Sequence, residues 1–120
     1  MGDYRSLKTW QAAHRLALAV YRTTASYPRE EVYGLTGQSR RAAASIAANL
    51  AEGVGRNSQK ELARFARISL GSANELDYHL LLASELTYLS SDEHADLQEQ
   101  VDHLRRMLSN FIRSVDPSSR

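Results

Sequence analysis

The chain has no cysteine in its 120 residues. That excludes disulfide frameworks, thiolate metal sites and thiol nucleophiles together, and it suits a reducing compartment. Proline occurs only at positions 28 and 117, and there are six glycines, so long stretches run without a helix breaker. No segment approaches the ~18 consecutive apolar residues of a membrane span. The N-terminal Met1-Gly2-Asp3-Tyr4-Arg5 lacks the apolar run of a signal peptide. The expectation is a cytoplasmic protein with no membrane partner. Charge of one sign is also scarce: the formal net charge is +1, far from the basic excess of an indiscriminate nucleic-acid binder. Length gives one domain that buries roughly two-thirds of its unfolded surface.

What the chain does have is helical periodicity. Leu62, Ala66, Ser69, Ala73, Leu76, Leu80, Ala83 and Thr87 alternate spacings of four and three, which keeps one stripe facing a neighbouring helix. Trp10, Ala13, Ala17, Val20 and Thr24 do the same near the N-terminus, and Leu97, Val101, Leu104, Leu108, Phe111 and Val115 near the C-terminus. Start and stop signals divide the pattern into helices over about 7–26, 36–54, 58–89 and 91–115, followed by a frayed tail at 116–120. Ser6 is a candidate cap for the first helix and Tyr27-Pro28 ends it. Gly53-Val54-Gly55 is expected to supply the left-handed residue that stops the second helix. Ser58 with Glu61, and Ser90 with Glu93, read as capping boxes. Four helices with short links predict an all-α, up-down-up-down antiparallel four-helix bundle. Its core should hold Trp10, Ile46, Leu76, Leu80, Leu104, Leu108 and Phe111.

Some apolar residues lie off the core stripe. Ile68, Leu82, Leu86 and Leu89 on the third helix, with the small Ala44, Ala48 and Ala51 on the second, form a candidate oligomer interface. Charge is segregated as well. Arg40, Arg41, Arg56, Lys60, Arg64 and Arg67 face only Glu52 and Glu61 across residues 34–69, whereas residues 71–102 hold eight acids and no Lys or Arg. The antiparallel topology collects Arg5, Lys8, Arg56, Lys60, Arg64, Arg113 and Arg120 at one end and most acids at the other. Arg22, Arg29, Arg40 and Arg41 are exceptions nearer the acidic end.

The second helix is the most distinctive stretch. Ser45-Ile46-Ala47-Ala48-Asn49-Leu50-Ala51-Glu52-Gly53, preceded by Tyr33-Gly34-Leu35-Thr36 and followed by Gly71-Ser72-Ala73-Asn74-Glu75-Leu76, resembles the four-helix-bundle family of 23S rRNA intervening-sequence proteins. Trp10-Gln11, Val20-Tyr21 and Tyr27-Pro28 extend the likeness over essentially the whole chain. The resemblance implies a small cytosolic bundle that assembles into a homopentamer and whose biochemical role is largely undefined. A related group, the accessory proteins of diversity-generating retroelements, forms basic pentameric barrels that engage nucleic acid and a reverse transcriptase. This chain departs from the pattern in Ser39, where an aliphatic residue is common, and in its near-neutral charge.

Chemistry-bearing residues are few. The residues three before His14, His79, His94 and His103 are Gln11, Leu76, Ser91 and Gln100, so the Glu-x-x-His motif of di-iron bundles is absent and no metal is expected. No phosphate loop or His-Glu-x-x-His is present, and no cofactor or catalytic residue is assigned. On the second helix Arg41, Ser45, Asn49, Glu52 and Arg56 share a polar arc. Asn49 and Glu52 read as structural groups that bond across a helix or subunit boundary. Arg56, Lys60, Arg64 and Arg67 span about three turns and form the candidate nucleic-acid-binding set, because parallel copies in a ring would multiply their charge. The expectation is a non-enzymatic homo-oligomer whose leading partner is RNA or DNA at the basic end, with a protein-scaffold role as the alternative.

Overall fold

The breaker-free stretches fold as four α-helices: α1 (Lys8–Thr24), α2 (Leu35–Gly55), α3 (Gln59–Glu85) and α4 (Ser91–Val115). They are seen in a computed structural model that describes residues 2–119. Short 3-10 turns lie at Tyr4–Ser6, Arg29–Glu31 and Pro117–Ser119. The helices pack as an up-down-up-down bundle of 44 × 21 × 20 Å, the length set by α3 at ~1.5 Å per residue. Of the four contacts between neighbouring helices, α2–α3 is the most extensive and α1–α4 the least.

Leu16, Val20, Ile46, Leu50, Leu76, Leu80, Leu97, Val101, Leu104 and Leu108 fill the core, each contributing roughly 1.5–3 kcal/mol by leaving water. Alanines between them, including Ala43, Ala66 and Ala73, bring the helices close. Two expected core residues are only half-buried. Trp10 lies at the margin, stacked on His14 at 4.9 Å and edge-on to Tyr4 at 5.0 Å. Phe111 is displaced from the α4 stripe by Ile112, which is 8% exposed. Arg105 links α4 to α3 through Asn74 and Asp77 and is steadied by Asp102 on its own helix.

Helix ends account for most departures from the expected boundaries. Leu7, not Ser6, precedes α1 and makes no side-chain cap; the Ser6 hydroxyl instead donates to the Asp3 carbonyl. Gly53 and Gly55 are helical, and the left-handed residue after α2 is Asn57, at φ 53°. Gly53 is needed for another reason: a Cβ there would lie 2.9 Å from Phe65 Cβ and 3.0 Å from Leu62 Cδ1. Ser58 accepts from the Glu61 amide, but the Glu61 carboxylate turns to Arg64 rather than back to the cap. At Ser90 and Glu93 both halves of the capping box form.

The expected end of the third helix, near residue 89, is corrected to Glu85. Thr87 adopts φ 64°, the Tyr88 amide reaches back to the Ala83 carbonyl and the Thr87 amide to that of Ser84. This Schellman-type closure reverses the chain and folds Leu89 inward. The tail is tied down as far as Ser119: Asp116 is buried, pairs with Arg67 and accepts from the Ser118 amide and hydroxyl. Arg120 lies outside the described residues.

Candidate functional site

The turn between α2 and α3 places Arg56, Lys60, Arg64 and Arg67 at the end of the bundle where α2 finishes and α3 begins. Three of the four cations are already answered. Arg56 Nε lies 3.0 Å from Glu52 Oε2, and Arg64 grips Glu61 with two bonds of 3.0 and 3.1 Å. Arg67 pairs with Asp116 across the α3–α4 boundary. The guanidiniums of Arg56 and Arg64 sit 5.0 and 4.5 Å from the Phe65 ring centroid, so the aromatic ring is covered by cations and presents no stacking platform. Lys60 makes no ion pair among the described residues.

These pairings shift the acids. The hydrogen bonds from Arg64 hold the Glu61 carboxyl below its ordinary range. Arg67, then the Ser118 amide and hydroxyl, pull Asp116 down to about 2. The Arg56 and Arg64 pairs are solvent-exposed, where such bridges contribute little to stability. A phosphate could displace them at small cost, but the standing field of the patch is much weaker than four free cations would give.

On the polar arc of α2, Asn49 Nδ2 donates to the Ser45 carbonyl and hydroxyl, both at 2.9 Å. Glu52 pairs with Arg56 one turn on. Both residues therefore bond within α2 rather than across a helix boundary, because partners four residues away are within reach. The contact that does cross is the Ser45–Ser72 hydroxyl pair at 2.9 Å, and the Ser69 hydroxyl donates to the Ile46 carbonyl at 2.8 Å.

The candidate interface residues divide. Ile68 and Leu86 are 41% and 46% exposed, and Ala48 is exposed beside half-buried Ala44 and Ala51. Leu82 is half-buried and packs on the core. Leu89, at 5% exposure, belongs to the interior of its own chain and is removed from the outward set by the Thr87 reversal. Exposed Tyr78 and Leu81 on α3 and Leu18 and Tyr21 on α1 were not in that set. Their off-stripe spacing was the available signal.

A polar cluster at the opposite end was not legible in the sequence. Glu31 accepts from the Leu35 amide and the Tyr88 hydroxyl, each at 2.9 Å, and these bonds hold its carboxyl low. Burial, with Glu93 nearby, pushes the Tyr27 phenol up to about 12. Apart from that cluster, His79 Nε2 lies 3.7 Å from Glu75, the i,i+4 pair on α3 that the spacing of the two residues predicts. No group of three or more potential metal ligands is found among the described residues, and no helix there is long and apolar enough to cross a membrane.

The architecture and the site define a small helical bundle whose exposed chemistry consists of charge pairs and scattered apolar side chains. The chain belongs to the 23S rRNA-intervening sequence protein family, which it matches over residues 5–110. Its fold is similar to the crystal structure of a protein of unknown function from the S23 ribosomal protein family of Bacteroides thetaiotaomicron VPI-5482. The TM-score is 0.78 at 19% identity, covering 88% of this chain and 98% of that one. No curated protein matches the chain.

Proposed function

We propose that the protein is a non-enzymatic, cytoplasmic assembly module that works as a homo-oligomer, a pentamer by its family likeness, through the outward faces of α2 and α3. The observation that carries this reading is the placement of Ile68 and Leu86 at 41% and 46% exposure on the side of α3 away from its core stripe. The small residues Ala44, Ala48 and Ala51 lie on the outer side of α2, where they allow close helix approach. Exposed apolar groups in such an arrangement favour burial against another copy. Leu82 supports the patch from below.

Binding of RNA or DNA is the second reading. Arg56, Lys60, Arg64 and Arg67 support it, and a ring would repeat them. The pairing of Arg56, Arg64 and Arg67 with Glu52, Glu61 and Asp116 favours the scaffold role instead, and the near-neutral charge points the same way. Ala48→Glu and Ile68→Glu are expected to dissociate the assembly while keeping helicity, whereas Arg106→Ala leaves it intact. Light scattering with circular dichroism distinguishes these outcomes; an unchanged mass for both glutamate variants refutes the interface. Nucleic-acid binding that falls log-linearly with salt and is abolished by removing all four basic side chains favours the second reading.

A further inference from the structure

Arg40 is a cation at the predominantly acidic end of the bundle, and no carboxylate answers it among the described residues. Its guanidinium is nonetheless fixed: Nε donates to the Thr24 hydroxyl at 2.8 Å, Nη2 to the Tyr21 carbonyl at 3.1 Å, and the group lies 4.9 Å from the Tyr21 ring centroid. Nη1 makes none of these bonds. An arginine held this way has lost its side-chain entropy before any ligand arrives, and part of its donor fork remains unspent.

Arg40 opens onto a cleft of about 300 Å³ between the end of α1 and the start of α2, lined by Thr24, Tyr27, Arg29, Val32 and Thr36 among others. No acid lines it. The nearby Glu31 carboxylate is occupied by the Leu35 amide and the Tyr88 hydroxyl. Arg29 brings a second guanidinium that forms no ion pair among the described residues. Thr36 is only 6% exposed, yet its hydroxyl has no hydrogen-bond partner among the described residues. Its oxygen, unlike those of Tyr27 and Ser39, is not sealed inside the bundle, so it is open to a ligand in the cleft. Thr36 also stands in the first turn of α2, where the helix presents its positive end.

We infer that this cleft binds a phosphate group, free or carried by a small molecule, with Arg40 and Arg29 supplying charge and the Thr36 hydroxyl supplying a donor. Two guanidiniums, a hydroxyl and a helix N-terminus suit a compact dianion, and the cleft is too small for a folded partner. The site is independent of the outward α2–α3 face and of the Arg56–Arg67 patch.

Calorimetric titration of the intact protein with sodium phosphate and with O-phosphoserine, at ionic strength held constant with sodium chloride, tests the inference. The expected result is saturable binding that Arg40→Ala weakens about tenfold or more and Arg113→Ala leaves unchanged. Thr36→Val, which removes a hydroxyl without a partner and should preserve the fold, is expected to weaken binding several-fold. Should Arg40→Ala lose helicity, Arg40→Lys takes its place and is expected to bind more weakly because the fork is gone. Tighter binding of phosphoserine than of phosphate assigns the site to a phosphate monoester, and equal binding to the free ion. Absence of saturable binding by either ligand, or equal affinity in the native protein, Arg40→Lys and Thr36→Val, overturns the inference.

Discussion

Replacing Gly53 with alanine sets two opposing effects against each other at one atom. In a helix interior, glycine is less favourable than alanine by about 0.5–1 kcal/mol, so an unobstructed site should gain that amount. At Gly53 the added Cβ meets Phe65 Cβ at 2.9 Å, Leu62 Cδ1 at 3.0 Å and the Leu62 backbone at 3.3 Å. Two of these atoms are fixed to or part of the α3 backbone, so relief requires α2 and α3 to separate across their most extensive contact. Overpacking of that kind typically costs about 1–3 kcal/mol, leaving a net loss centred on about 1 kcal/mol after the propensity gain. Gly55 and Gly71 meet nothing within 4 Å and lack positive φ. Gly55→Ala should therefore stabilise by about 0.5–1 kcal/mol, and Gly71→Ala tests whether a neighbouring copy approaches that point. Urea unfolding followed by helical circular dichroism, at one fixed protein concentration because association couples to stability, measures all three. A Gly53→Ala midpoint equal to or above that of the native protein would refute the close approach.

Other substitutions address the core, the turn and the pH response. Leu76→Ala or Leu80→Ala should cost roughly 2–5 kcal/mol in the same unfolding assay, and an unchanged midpoint would contradict the α3 stripe. Ser39 and Ser69 are both 0% exposed, but the Ser39 hydroxyl has no partner among the described residues whereas that of Ser69 bonds to Ile46. Ser39→Ala should thus stabilise and Ser69→Ala destabilise, each by about 1 kcal/mol. Thr87→Gly should raise stability by about 1 kcal/mol by relieving a β-branched residue at positive φ. Asp116 has a folded pKa of about 2, below its ordinary 3.8. Its contribution is present above pH 4 and is lost as pH falls through about 2. Asp116→Asn should flatten the fall of the unfolding midpoint across that window; identical slopes would contradict the Arg67 pairing.

The architecture was legible because it rests on repetition. Four segments with uninterrupted 3.6-residue periodicity and strong serine caps at 58 and 90 predict four helices, and short links leave little choice of topology. What escaped depended on single residues. Thr87 in the left-handed region has no sequence signal, since glycine and asparagine are the usual signs, so periodicity alone extends α3 past Glu85 and puts Leu89 on its outer side. The Gly53-Val54-Gly55 pair suggested backbone freedom, whereas Gly53 serves close packing and Asn57 makes the turn. For the site, spacing identified which cations share an end but not their partners. Glu52 and Glu61 pair within one turn of their own helices, whereas Asp116 reaches Arg67 from 49 residues away, in a segment whose composition predicts fraying. The sequence marks Arg40 as an exception to the charge gradient, but its fixation by Tyr21 and Thr24 depends on the α1–α2 crossing.

The central claim is that the outward α2–α3 face is buried against other copies of the chain. Sedimentation velocity of the unmodified protein across micromolar concentrations tests it most directly. The account predicts a discrete species several times heavier than the 13.4 kDa chain, and five times for a pentamer. A single 13.4 kDa species throughout that range would contradict it.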